Sequence, residues 1–346
     1  MATTDAPTTL APDECVPSEH SFHRALRATY IGLDFLLTLL GNVLTIVVTR
    51  KVEEFSDSTK VIITSLAVAD LGVAFVAATS LPVEILGKWI FPEWVCAASF
   101  ITFYIFTTVS VMMVIVMTFD RLVAIVRPLR YALILPKHRS VIAVVIVWLA
   151  CTGGGMYTTF TNNIVYNRCS AVCMTTGRNI VASIVSVLLF YVIPLALIMM
   201  MNVKILLIAR QHARHIGRPA VTITSTDDAG QPTILRRPRS VKGKAVGVIS
   251  LVTVAFAVSW SVYQAKLLHG SVSGSSDAFD EWLEFSAIWL GLTNSWWNVI
   301  IYSVMNRSFR RHTRSVLFGC CPRCPRPSEI IPIETVSVNL RSNPPG

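Results

Sequence analysis

The chain has 346 residues, of which 53% are hydrophobic and only 14% charged, with a net charge of +10. Soluble domains carry roughly 25% charged residues, and the mean hydropathy here is +0.58, which excludes a water-soluble globule of this size. The positive balance does not point to nucleic acid, because Lys and Arg fall in short blocks between apolar runs, as in the cytoplasmic loops of membrane proteins.

Residues 1–26 form a polar tail without the apolar core of a signal peptide, so the first span is expected to act as its own insertion signal. Seven apolar runs of spanning length follow, at 27–50, 59–85, 95–127, 140–161, 178–209, 240–268 and 279–304. They do not alternate as barrel strands do, and an open sheet would leave backbone groups bare in lipid. The expected fold is an all-α membrane protein, a seven-transmembrane helix bundle over 27–304. Within it, 211–239 is polar and interrupted by Gly217, Pro219, Gly230, Pro232 and Pro238, and reads as a flexible third cytoplasmic loop. Over 305–319, Phe309, Val316, Leu317 and Phe318 are interleaved with Arg310, Arg311 and Arg314, as in a short amphipathic helix on the membrane surface. Cys320, Cys321 and Cys324 then open a cytoplasmic tail, 320–346, where palmitoylation is expected ahead of free thiols.

Orientation follows from the basic residues. Arg127, Arg130, Lys137 and Arg139 lie after span three, Arg210, Arg214, Arg218, Arg236, Arg237 and Arg239 between spans five and six, and Arg307, Arg310, Arg311 and Arg314 after span seven. That side is cytoplasmic by the positive-inside rule. Asp277, Asp280, Glu281 and Glu284 lie opposite with the acidic tail, so a multi-pass protein of the cell membrane with an extracellular N-terminus is expected. Only Cys15, Cys96, Cys169 and Cys173 fall where an oxidising exterior reaches them.

An ionisable residue inside a span costs roughly 2.5–3.5 kcal/mol and needs a partner or a role. Asp70 in span two is the clearest case, with Asn42, Ser110, Asn294, Ser295 and Asn298 available to converge on it. Such oxygens suit a small hard cation such as sodium; a buried carboxyl satisfied by hydrogen bonds is the simpler reading of these residues alone. Asp120-Arg121 closes span three, either as a charge-assisted pair that frees the Arg for a partner or as an ordinary helix-end pair. Asp34, Glu84 and Lys266 lie nearer the outer ends, where each either lines a pocket or snorkels to the headgroups, with snorkelling the main expectation.

Taken together, the motifs resemble those of rhodopsin-like G-protein-coupled receptors across all seven spans. They are Gly41-Asn42-Val43, Leu66-Ala67-Val68-Ala69-Asp70, Trp89, Cys96, and Phe119 to Ile125 running into Arg127-Pro128-Leu129-Arg130-Tyr131. Trp148, Pro194, Phe256-Ala257-Val258-Ser259-Trp260 and Asn294 to Tyr302 complete the set, in order and in every span. Trp289-Leu290-Gly291 before Asn294 and the Arg127–Tyr131 loop look most like the biogenic-amine receptors, but the Asp that pairs the amine there is Phe103 here. The aromatic pair after Trp260 becomes Tyr263-Gln264 and the span-seven Tyr becomes Leu292. Opsins carry their retinal-bearing Lys at that same span-seven position, so no retinal is implied.

The resemblance implies a two-state bundle that passes an extracellular small-molecule signal to a heterotrimeric G protein, with arrestin and membrane lipid as further partners. It implies a ligand pocket at Phe103, Tyr104, Thr107, Ser186, Trp260, Tyr263, Gln264 and Ile288, and a sodium pocket at Asp70, Ser110, Asn294, Ser295 and Asn298. It also implies a switch built on Asp120, Arg121, Asn202, Lys242, Phe256, Trp260 and Tyr302. Several switch positions depart from the pattern. Val262 and Val299 replace prolines, Asn202 replaces a Tyr, and Lys242 replaces an acid that can hold Arg121, which predicts a weak inactive-state lock and raised basal signalling. By the same resemblance Cys96 pairs with Cys173, with Cys169 the alternative; the one left over pairs with Cys15 or stays free.

Three rivals stand beside this reading. An enzyme lacks support, since no HExxH, GxSxG or P-loop motif and no facing pair of membrane carboxylates occurs. A transporter would show an internal repeat and broken helices; only Gly153-Gly154-Gly155 offers a place to unwind. The third is a receptor-like protein, constitutively active or ligand-independent.

Overall fold

The structure, a computed structural model, describes residues 21–175, 180–216, 225–226, 232–233, 242–272, 281–305 and 307–319. Each expected span is helical. Spans one to four are Ser21–Lys51, Asp57–Leu86, Glu93–Val126 and Lys137–Thr161. Five helices among the described residues are long and apolar enough to cross a bilayer: these four and Ile180–Ile208. Their outward faces are rows of Leu, Val and Ile, for example Leu33, Leu36, Leu37 and Leu40 of span one, which only a lipid environment satisfies. The expectation of an all-α membrane bundle holds.

Span two begins at a Ser56 cap, whose hydroxyl accepts from the Thr59 amide at 3.1 Å. It stops at Gly87, whose φ of 69° is the left-handed conformation that glycine adopts without strain. Span five is not one regular helix. Ile180–Val187 passes through a π turn, Leu188–Val192, into Ile193–Ile216. Pro194 supplies no amide hydrogen and its ring crowds the preceding turn, and the wider π turn just before it absorbs that mismatch. The helix continues to Ile216, beyond the expected limit at 209, and short strands Ser225–Thr226 and Pro232–Thr233 pair within the third loop.

Span six, Lys242–Val272, is one continuous helix, in keeping with Val262 in place of a kinking proline. Span seven is two helices, Glu281–Leu292 and Asn294–Met305, meeting at Thr293. The Thr293 hydroxyl donates to the Leu290 carbonyl at 2.6 Å, and the Trp296 amide donates to the Thr293 carbonyl at 3.1 Å. The break therefore lies six residues before Val299, without a proline. A further helix, Arg307–Phe318, follows, with Phe309 buried against Tyr302 while Arg311, Arg314, Leu317 and Phe318 are exposed. Cys320, Cys321 and Cys324 lie outside the described residues.

Between spans four and five lies an antiparallel hairpin, β1 (Ile164–Asn167) and β2 (Val172–Thr175). The Asn167 side chain closes its turn, accepting from the amides of Cys169 and Ser170 at 2.9 and 3.0 Å. Cys173 is bonded to Cys96, with Cα atoms 5.5 Å apart, which decides between the two candidate partners. Cys169 is also disulfide-bonded, to a partner outside the described residues, so it does not stay free.

Candidate functional site

Three polar assemblies lie inside the bundle. The first centres on Asp70, which is fully buried in span two. Ser110 of span three donates to its Oδ1 at 2.7 Å and Asn298 of span seven to its Oδ2 at 3.3 Å. Ser295 also hydrogen-bonds this carboxyl group. Asn42 spans the gap to span one, donating to the Ser295 carbonyl at 3.1 Å. Asn294 is buried nearby in sequence, but no hydrogen bond joins it to Asp70. Three helices are thus tied by one carboxyl group, and Asn42 adds the fourth through Ser295. The donor set is entirely oxygen and amide, which fits a small hard cation better than a transition metal.

The second assembly is at the Arg121 end. Asp120 is buried and Arg121 a third exposed, with Nε 3.9 Å from Asp120 Oδ2. That is too long for a strong charge-assisted bond. The carboxylate is held elsewhere: Tyr131 donates to Oδ1 at 2.5 Å and Thr59 to Oδ2 at 2.9 Å, and Ser56 lies 2.9 Å from the Tyr131 hydroxyl. Arg121 instead rests over the Phe55 ring at 5.7 Å. Asn202 donates to Thr253 of span six, and Tyr302 to the Met117 sulfur at 2.8 Å. Lys242 opens span six; its side chain lies outside what the structure describes. Nothing local in the sequence marks Tyr131 and Thr59 as partners of Asp120, since they lie 11 and 61 residues from it.

The third assembly is at the Cys96 end. Phe103 and Tyr263 pack against two apolar clusters, one containing Trp260 and Phe256, the other Ile288, Trp289 and Leu292. Trp260 is set edge-on to Tyr263 at 5.9 Å and packs so closely on Gly291 that an added Cβ would meet its ring at 2.9 Å. Its Nε1 is buried without a hydrogen-bond partner, as is Gln264 Oε1 one turn above. Thr107 donates back to the Phe103 carbonyl of its own helix. Tyr104 faces Phe190 at 5.7 Å, Ser186 is half-buried on span five, and Ile288 is fully buried. Ile288 packs with Ala171 and Val172 of the hairpin turn, which enters the bundle beside spans one, two and seven. Trp289 Nε1 donates to the Ser170 carbonyl at 2.8 Å and fixes that turn.

Beside this pocket runs an ion-pair chain. Arg27, 1% exposed, donates to Glu84 at 3.0 Å, to Glu281, and to the Arg168 carbonyl at 2.9 Å, with its guanidinium 4.7 Å from the Phe285 ring. Lys266 pairs with Glu284 between spans six and seven. Asp34 accepts from Trp296 Nε1 at 2.9 Å. Snorkelling is therefore overturned for Asp34, Glu84 and Lys266: each is turned inward, because an opposite charge or a donor on a neighbouring helix lies within hydrogen-bond reach.

A family profile described as "7 transmembrane receptor (rhodopsin family)" matches residues 41–302. The chain belongs to this family. Among its relatives, the octopamine receptor beta-1R of Drosophila melanogaster is 29% identical over 335 residues, covering 90% of this chain and 65% of that protein. The human histamine H2 receptor is 27% identical over 319 residues, covering 90% of this chain and 82% of its own length. The human trace amine-associated receptor 8 is 26% identical over 319 residues, covering 88% and 90%. The relatives are receptors and not enzymes, and the receptor described here is a multi-pass membrane protein of the same family.

Proposed function

We propose that the protein is a G-protein-coupled receptor that passes an extracellular small-molecule signal to a heterotrimeric G protein by a two-state rearrangement of its helices. The observation that supports this best is the state of Arg121. Its neighbouring carboxylate is occupied by Tyr131 and Thr59, so the guanidinium is left a third exposed at the end bearing the basic loops. An arginine held this loosely is available to a protein partner. On this reading the Cys96 end is extracellular, and ligand enters among Phe103, Tyr104, Thr107, Ser186, Trp260, Tyr263 and Gln264.

Ligand binding shifts the balance of states only through differential affinity. Span six lacks a proline hinge, so its inner end moves as part of a rigid helix, and Asn202–Thr253 is the contact that must give way. Asp70, Ser110, Ser295 and Asn298 offer oxygens for a sodium ion that favours the inactive state. Arg310, Arg311 and Arg314 on the surface helix face anionic lipid, with Cys320, Cys321 and Cys324 as lipidation sites and arrestin as a further partner.

A second reading, constitutive or ligand-independent signalling, is favoured by the same loose Asp120–Arg121 pair and by the hairpin turn already seated in the bundle. The test is basal G-protein activation of the wild type beside Arg121→Ala at matched surface levels. A wild-type signal abolished in the mutant supports coupling through Arg121; equal signals in the two would refute it.

A further inference from the structure

We infer that the pocket of this receptor takes an uncharged ligand bearing both a hydrogen-bond donor and an acceptor, held by Gln264 and Trp260, and that it rejects a free ammonium ion. The inference rests on the receptor reading above for the location of the pocket, and on three observations for its chemistry.

The first concerns counter-charges. An ammonium ion taken out of water needs a carboxylate that is free to receive it. Among the described residues of the Cys96 end every inward carboxylate is already committed. Glu84 and Glu281 share Arg27, Glu284 holds Lys266, and Asp34 accepts from Trp296. Glu93 is exposed at the start of span three. Asp70 lies deeper and is held by Ser110, Ser295 and Asn298. A cation drawn to Glu84, Glu281 or Glu284 would have to break an ion pair and strand its partner, while Asp34 and Asp70 are held by donors from other helices.

The second concerns unmet polar groups. Trp260 and Gln264 are 6% and 7% exposed, and neither Trp260 Nε1 nor Gln264 Oε1 has a hydrogen-bond partner. Buried polar atoms are nearly always paired, and each orphan is costly. One is a donor and the other an acceptor, four residues apart and so on one face of span six. A ligand carrying an acceptor for the indole and a donor for the amide would satisfy both.

The third concerns shape. The hairpin turn fills the side of spans one, two and seven, where Ala171 and Val172 pack on Ile288 and Leu292. Phe103 and Tyr263 pack against both this cluster and the one that holds Trp260, so apolar ring faces lie beside the unmet indole. An aromatic amide has this character: a flat apolar body with adjacent C=O and N–H.

The test uses the full chain purified in lipid nanodiscs, with thermal unfolding as the readout and two probes of matched skeleton, 2-phenylacetamide and 2-phenylethylammonium. At about 10 mM, roughly tenfold above the ~1 mM affinity such a fragment reaches, the amide should raise Tm by about 2–4 °C. The ammonium should leave Tm unchanged. Gln264→Leu should abolish the amide shift without lowering the ligand-free Tm, since it removes an unpaired acceptor. Gln264→Glu should transfer the response to the ammonium. No shift from the amide, or a shift from the ammonium in the wild type, overturns the inference and leaves the Arg121→Ala comparison untouched. Failure of that comparison with the amide shift intact would sink the receptor reading alone.

Discussion

Asp120 accepts from the Tyr131 hydroxyl at 2.5 Å, while the guanidinium next to it in sequence stands 3.9 Å from the same carboxylate. A loop residue has taken the partner that the sequence suggests for Arg121. Removing the hydroxyl should return it. Tyr131→Phe is expected to let Asp120 close on Arg121 and lower basal signalling by roughly ten- to a hundredfold, since a hydrogen bond to a charged group contributes about 1.5–3 kcal/mol. Basal nucleotide exchange on a co-expressed G protein checks this, and unchanged exchange counts against the arrangement.

Arg27 pairs with two carboxylates from two different helices. Arg27→Met strands Glu84 and Glu281 beside each other, and a broken buried pair costs roughly 3–5 kcal/mol. Surface expression and Tm should fall together. Adding Glu84→Gln and Glu281→Gln to the same chain should recover most of the loss, because no buried charge then remains unpaired. Failure of the triple variant to recover would show that the Arg27 stem packs more than it pairs.

Gly291 and Gly153 make a matched comparison. A Cβ at Gly291 meets the Trp260 ring at 2.9 Å, whereas one at Gly153 meets nothing within 4 Å. The indole is rigid and walled by Phe256, so Gly291→Ala should cost about 1–3 kcal/mol and displace Trp260. Gly153→Ala should be neutral or stabilising by about 0.4–1 kcal/mol. Tm and tryptophan fluorescence measured on both variants separate the two cases.

Ser308 of the surface helix donates to Glu54, in the turn between spans one and two, at 2.7 Å. That bond is the main cause holding the Glu54 carboxyl below its ordinary range, with the backbone and the nearby basic side chains adding to it. A depressed folded pKa means that the stabilisation is present above the unfolded value of about 4.3 and lost as pH falls through the folded one. Glu54 is largely exposed, so solvent screening keeps the effect small. Ser308→Ala should lower Tm slightly at pH 7, and the gap to wild type should close under acid conditions.

Span positions and the Asp70 assembly were legible in the sequence because both rest on local signals. Apolar runs mark helices, and a lone Asp in such a run must find donors, which Ser110 and Asn298 supply. The Arg27 chain is not legible there, because each member sits near a span end where snorkelling is the cheaper expectation for a single residue. Counting Arg27 and Lys266 against Glu84, Glu281 and Glu284 at one depth carries the missing signal: cations and acids gathered at one level pair with each other. The break at Thr293 and the role of Tyr131 have no local marker, since each depends on which neighbour the backbone brings near.

The hairpin turn is anchored at both of its ends. Cys169 and Cys173 are each disulfide-bonded, and only Ser170, Ala171 and Val172 lie between them. Three residues pinned in this way cannot swing aside as a flap. Anything entering the bundle from this end would pass around the turn. Reduction alone would not free these three residues, because Trp289 still holds the Ser170 carbonyl and Ala171 and Val172 stay packed beside Ile288 and Leu292, so the turn acts as a fixed wall of the bundle.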